Sequence, residues 1–198
     1  MSHLLGVDEA GRGPLAGPVA VGLVLLPARL DVRRAFPGVA DSKQLSQGKR
    51  EELFELLRTR AAKGGARFAV RYASAATIDR LGITRAVALA VARGCRALSP
   101  DADARVYLDG LLKAPREYAQ ETIVRGDELV PLISLASIAA KVARDRLMRR
   151  LAKTYPAYRF EEHKGYPTKL HYQMLAEHGP CAIHRMSYLR LARGEEKR

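Results

Sequence analysis

Leu4-Leu5-Gly6-Val7-Asp8-Glu9-Ala10-Gly11-Arg12-Gly13-Pro14, residues 4–14, joins a short apolar run to two carboxylates and then to a glycine-rich turn. Pro18 follows, and then a second apolar run, Val19 to Leu26. Two short apolar runs around a Gly/Pro turn predict an antiparallel strand pair. Working outward, Ser46 is a candidate cap for a helix carrying Leu53, Phe54, Leu56 and Leu57. A third strand fits Arg67 to Tyr72. Thr77 then opens a helical stretch in which Ile83, Val87, Ala90, Val91 and Gly94 share one face. A fourth strand, Arg105 to Leu108, ends at Asp109-Gly110, and a fifth, around Glu121 to Val124, ends near Gly126-Asp127. A long helix runs from Pro131 to Ala152, with Ile138, Val142, Ala136, Ala139 and Ala143 on or near one side. From Tyr155 onward the chain is mixed, with a polar loop, a helix from Thr168 to His178 and a basic end. The order is β-β-β-α-β-β-α with an additional helix after the second strand, which predicts an α/β fold with a mixed sheet.

The 198 residues suit one domain with a small appendage. The net charge of +13 favours a polyanionic partner, either nucleic acid, an anionic membrane or a phosphorylated ligand. Cys95 and Cys181 form no C-x-x-C pair, so neither a disulfide framework nor a zinc knuckle is expected. Met1-Ser2-His3-Leu4-Leu5 lacks the basic start and long apolar run of a signal peptide. The longest apolar stretch, Val19 to Pro27, is far short of a membrane span. The expectation is a soluble cytoplasmic protein with no membrane association, and nothing in the sequence demands more than a monomer.

The acids carry the chemistry. Asp8 and Glu9 end the first strand, Asp109 ends the fourth, and Asp127 ends or follows the fifth. If strands 1 and 4 are parallel neighbours, their carboxylates converge at one sheet edge. Clustered carboxylates repel one another unless a cation offsets their charge, and hard ions such as Mg²⁺ or Mn²⁺ prefer oxygen ligands. Such a cluster can hold two ions about 4 Å apart, and phosphodiester hydrolysis then requires no side-chain nucleophile. Any one Asp after a strand also reads as a turn residue or helix cap. Side chains alternate along a strand, so Glu9 is expected to reach the cluster from a bend made by the following glycines. Gly11-Arg12-Gly13 can aim backbone N–H groups at an anion, and Arg12 can add a phosphate contact; a plain hairpin connection is the alternative.

At this point the residues resemble a known family. Asp8-Glu9-Ala10-Gly11-Arg12-Gly13-Pro14-Leu15-Ala16-Gly17-Pro18-Val19 is similar to the N-terminal signature of type 2 ribonucleases H. Asp41-Ser42-Lys43-Gln44-Leu45-Ser46 resembles their D-S-K-x-L-S segment, and Leu108-Asp109-Gly110 their third-acid motif. Ala136-Ser137-Ile138-Ala139-Ala140-Lys141-Val142-Ala143-Arg144-Asp145 is similar to their long-helix signature. His163-Lys164-Gly165-Tyr166-Pro167-Thr168 and His184-Arg185 resemble their C-terminal segments. The matches run in order from residue 6 to about 188.

The resemblance implies a ribonuclease H-like fold: a five-stranded mixed sheet in the order 3-2-1-4-5, flanked by helices, with a small helical C-terminal part. Residues 1–153 would form the catalytic core and 154–198 a helical extension packed on it. It implies four metal-binding and catalytic acids, Asp8, Glu9, Asp109 and Asp127. Asp145 competes for the fourth place; alternatively it pairs with Lys141 one turn earlier. It implies Mn²⁺ or Mg²⁺ as cofactor and RNA–DNA hybrids, or DNA duplexes containing ribonucleotides, as substrate. Cleavage would fall 5′ of the ribonucleotide and leave a 3′-hydroxyl and a 5′-phosphate. Gly11, Arg12 and Gly13 would read the 2′-hydroxyl and Tyr166 would lie against the sugar at the RNA–DNA junction, while Lys43, Lys141 and Lys164 are either phosphate contacts or solvated lysines.

Two departures stand out. Tyr188 occupies a position where the family usually has Phe, with little effect expected. Type 3 relatives carry an extra domain before the first acid, and here Asp8 comes almost at once, which favours type 2. His163, His171, His178 and His184 match no ligand spacing and are expected to be structural or substrate-contacting. The tail Gly194-Glu195-Glu196-Lys197-Arg198 is expected to be disordered. Two rival functions stay open at this stage. A junction resolvase would cut without a ribonucleotide, and a non-catalytic basic binding module would need no divalent ion.

Overall fold

The structure, a computed structural model, describes residues 2–39, 45–101 and 103–192. Lys43, most of the D-S-K-x-L-S segment and the charged tail lie outside them. Strand β1 (His3–Ala10) pairs antiparallel with β2 (Val19–Pro27), and β2 pairs antiparallel with β3 (Arg67–Ala73). On its other side β1 pairs parallel with β4 (Arg105–Asp109), which pairs parallel with β5 (Ala119–Ile123). The sheet is therefore mixed, in the order β3-β2-β1-β4-β5.

Helices cover both faces. The helix α1 (Val32–Ala35) precedes α2 (Gln47–Ala62), whose Ser46 accepts the N–H of Lys49, the expected cap. The next helical stretch is two helices, α3 (Ala75–Leu81) and α4 (Ile83–Leu98), and α3 begins earlier than Thr77 because Ser74 caps it by accepting the N–H of Thr77. Leu5, Val7, Val21, Leu23 and Leu25 pack against Val87, Ala90 and Val91 of α4 on one face. On the other face Val24 and Leu26 meet Leu53 and Leu57 of α2, together with Leu135, Ala136 and Ala139 of the long helix α6 (Pro131–Thr154). At Gly22 an added Cβ would lie 2.2 Å from the carbonyl oxygen of Ala136, so this helix can lie on the sheet only where the strand has no side chain.

The strand β5 begins two residues earlier, and ends one residue earlier, than its sequence suggests. It is an exposed polar edge strand, so its own side chains give no alternation; pairing from Arg105↔Ala119 to Asp109↔Ile123 sets its limits. The short helix α5 (Gly126–Leu129) leads into α6. Beyond α6, a 3₁₀ turn (Pro156–Tyr158), α7 (Phe160–His163), α8 (Lys169–His178) and α9 (Met186–Ala192) complete the described chain. Tyr158, Phe160 and Met174 from this part pack on Met148 and Ala152 of α6 and on Ala16 of the β1–β2 loop. Among the described residues no helix is long and apolar enough to cross a membrane.

Candidate active site

The parallel register sets the site. Pairing between β1 and β4 ends at Val7↔Leu108, and one step further lie Asp8 and Asp109. Beyond that step β1 continues to Ala10 against β2 alone, so its β4 side opens into a pocket. The sequence placed Glu9 in a bend; instead Glu9 pairs with Val21 within the strand and reaches the pocket because the parallel ladder has stopped. Asp8, Glu9, Asp109 and Asp127 all line this pocket, with Gly11, Arg12, Gly13, Arg50, Ser137, Lys141 and Tyr166.

Asp8 is 4 % exposed and Asp127 is 5 % exposed. Burial holds the Asp8 carboxyl well above the usual carboxylate range, and the nearby Glu9 and Asp109 push the same way, against a hydrogen bond from Ser137. Asp8 Oδ1 accepts the N–H of Glu9 at 2.7 Å. Asp109 Oδ1 accepts the N–H of Asp127 at 3.2 Å, and the Ser134 hydroxyl donates to the Asp127 carbonyl. The turn holding Asp127 is thus tied both to the end of β4 and to the first turn of α6. Glu9 Oε1 accepts from Arg12 Nε at 2.8 Å, while Glu9 Oε2 is buried without a hydrogen-bond partner.

This donor set fits a hard divalent cation. It offers oxygen atoms only, one of them buried and unpaired, and Glu9 and Asp109 raise the proton affinity of Asp8, which a bound cation would reverse. Among the described residues no three His, Cys, Asp or Glu side chains are already drawn into a finished ligand set. The acids share a pocket wall, and a cation would have to draw their rotatable carboxylates inward.

The other residues named from sequence divide. Lys141 lines the pocket and donates to Asp145 Oδ1 at 2.9 Å, so the alternative fourth acid is engaged in the i,i+4 pair and is absent from the lining. Lys164 is not in the lining either; its Nζ donates to the Glu161 carbonyl, and its own carbonyl accepts from Arg144. The Tyr166 ring lines the pocket, with Lys141 Nζ 5.7 Å and the Arg144 guanidinium 5.5 Å from its centre.

The glycine turn is held from beneath by two buried arginines, whose roles no local pattern signals. Arg185 donates to the carbonyls of Gly11 at 2.6 Å, Arg12 at 2.8 Å and Gly17 at 3.0 Å. Arg144 donates to Pro18 at 2.9 Å, and to Ala16 and Lys164. Burial lowers the proton affinity of both, Arg185 to about 10, and the carbonyl dipoles replace lost hydration. The Tyr188 hydroxyl also donates to the Arg12 carbonyl at 3.0 Å, so the departure from Phe adds a tie to the turn. Arg50, a pocket-lining cation, was missed as well; an arginine within a helix of ordinary charge carries no signal of its own.

Known proteins are similar to this chain over nearly its whole length. The family model for Ribonuclease HII matches residues 5–191. The chain belongs to the ribonuclease HII family. It is 47 % identical over 186 residues to the Ribonuclease HII of Nitrosomonas europaea, covering 93 % of this chain and 82 % of the relative. It is 46 % identical over 185 residues to that of Endomicrobium trichonymphae, covering 92 % and 83 %. Among solved structures it resembles the RNase HII of the PCNA:RNase HII complex from Archaeoglobus fulgidus, with a TM-score of 0.74, 26 % identity and 98 % of each chain covered. As a member of this family, the chain is an endoribonuclease of RNA–DNA hybrids.

Proposed function

We propose that the protein cuts the RNA strand of RNA–DNA hybrids, and also cuts 5′ of a single ribonucleotide embedded in duplex DNA, leaving a 3′-hydroxyl and a 5′-phosphate. The observation that carries this reading is the joining in one pocket of four carboxylates, from β1, β4 and α5, with the glycine turn and the Tyr166 ring. Asp8, Glu9, Asp109 and Asp127 would hold two divalent ions, Mn²⁺ or Mg²⁺. Bound there, the ions supply the positive charge that activates water and offsets charge on the departing 3′-oxygen.

The chain's own groups account for choice of substrate. Gly13 is not required by packing, since an added Cβ there would meet nothing within 4 Å. Its bareness suits close approach by a sugar. Gly11, Arg12 and Gly13 would present the turn to the 2′-hydroxyl, the group that distinguishes RNA from DNA. Tyr166 would stack against the sugar that follows the ribonucleotide. Lys141 would contact phosphate from the pocket wall and Lys164 from outside it, with Lys43 as a further phosphate contact.

The test is a cleavage assay on duplex DNA carrying one ribonucleotide, with and without Mn²⁺ or Mg²⁺, with product ends mapped. Incision 5′ of the ribonucleotide, only with the ion present and leaving a 3′-hydroxyl, is expected. Cutting of an all-DNA duplex, or activity undiminished by chelator, would overturn the reading.

A further inference from the structure

Three buried histidines have no part in the reading above. His171 is 0 % and His184 2 % exposed, and the His163 ring stacks on His171 with centres 4.4 Å apart. They lie directly behind the loop that carries Tyr166. Their partners fix which ring nitrogen bears the proton.

His171 Nδ1 lies 3.0 Å from the Tyr166 carbonyl, which can only accept, so this nitrogen is N–H. In neutral His171, Nε2 must then be an acceptor. It faces His184 Nε2 at 3.0 Å, so His184 must be the donor there. Neutral His184 is left with Nδ1 as an acceptor, and the Cys181 N–H points at it from 2.9 Å. His163 is assigned the same way. Its Nδ1 accepts the N–H of Gly165 at 3.1 Å, and its Nε2–H donates to the Tyr158 carbonyl at 2.8 Å. The Cys181 thiol, 3.2 Å from His184 Nδ1, can donate to it as well, and the Cys181 carbonyl, 3.3 Å from the same nitrogen, accepts the backbone N–H of His184 at 3.0 Å, so the chain runs in one direction. A proton added to His171 or His184 would set N–H against N–H, and burial disfavours the charged form of both rings.

We propose that His171 and His184 are positioning residues for Tyr166, forming a neutral one-way chain of hydrogen bonds from the Cys181 N–H to the Tyr166 carbonyl. The chain connects two segments of the pocket's support. At its far end, Arg185 follows His184 and grips the Gly11 and Arg12 carbonyls. At its near end, Tyr166 is held by its carbonyl through His171 and by its ring against Lys141 and Arg144. The distance between the turn and the Tyr166 ring is thereby set from below, with no histidine touching substrate. This rests on the role given to Tyr166 above.

Two measurements test it. In the wild-type protein at neutral pH, nitrogen-15 NMR of the imidazoles should show His171 protonated at Nδ1, His163 and His184 at Nε2, and all three neutral. His171 protonated at Nε2 alone, or an imidazolium at either His171 or His184, would overturn the chain. The second measurement compares cleavage at a single embedded ribonucleotide with cleavage of a continuous hybrid. An Asn side chain can place its amide N–H near the Nδ1 position, whereas Gln extends toward Nε2. His171→Asn should keep the wild-type ratio within about twofold. His171→Gln should shift it roughly five- to tenfold, the scale of one hydrogen bond, in the direction of Tyr166→Ala. Combined with Tyr166→Ala, His171→Gln should add nothing further. Equal shifts in the two His171 variants, or full additivity with Tyr166→Ala, would overturn the positioning role. If Tyr166→Ala itself left the ratio unchanged, the substrate role of Tyr166 would fall, and the tautomer measurement would distinguish that failure from a failure of the chain.

Discussion

Gly11 and Gly13 stand two residues apart in one turn and answer to different constraints. Gly11 has φ +93°, and an added Cβ would sit 2.0 Å from Arg144 Nε, whereas Gly13 has open space around it. Gly11→Ala should therefore destabilise the protein by about 2 kcal/mol or more in urea unfolding, through strain and loss of the arginine's seat. Gly13→Ala should leave the urea midpoint unchanged and lower cleavage, since the added methyl meets only substrate. Equal stability losses would put both glycines down to folding. Asp109→Asn keeps the size of the side chain and removes its charge. Turnover should fall by at least about 10²-fold, the scale expected for one group acting on transition-state charge, while hybrid binding measured without turnover persists.

At the scale of elements, the histidine chain ties α8 to the loop on either side, and its protonation should loosen both. His171 and His184 are pushed down by burial to about 4, from an ordinary value of 6.5. The folded-state values are depressed, so the unfolded chain takes up protons first. The contribution is fully present above pH 6.5 and is lost as pH falls toward 4. Roughly 3 kcal/mol per ring should disappear across that window, read as a falling urea midpoint, and His171→Gln should flatten the fall. Elements also show what a sequence can and cannot reveal. The strands β1 and β2, the cap Ser46, the helix beginning at about Thr168 and the helix α6 were legible, because apolar periodicity and capping hydroxyls act locally. Asp8, Glu9 and Asp109 were legible near strand ends, and Asp127 as an acid following the fifth strand. The opening beside Glu9 was not, because it depends on where the β4 ladder stops, and neither were the limits of β5, an edge strand whose side chains are exposed on both sides. Arg144 and Arg185 stood inside the family-like segments with no role of their own; only the fold shows that both are fully buried against carbonyl groups.

For the whole molecule, the acid pocket makes stability depend on pH and metal together. Burial raises the folded-state proton affinity of Asp8 above that of the unfolded chain, so the metal-free protein holds this proton longer when folded. That contribution is largest at low pH and is lost as pH rises through the raised value. A divalent ion needs the carboxylates ionised, so the rise in Tm produced by Mn²⁺ should be larger at pH 8 than at pH 5. It should reach about 2.7 kcal/mol at a hundredfold excess over Kd, and Asp8→Asn should remove most of it. A Tm gain independent of pH would argue against coordination by these carboxylates. The span of the arginine clamp has one more consequence. Arg185 grips carbonyls 173 and 174 positions earlier in the chain. During synthesis, every acid leaves the ribosome well before that grip can form. A nascent chain stalled in α8 would carry all four acids with its turn still unclamped, so competence to cut should arrive late and abruptly, once the final helix has emerged.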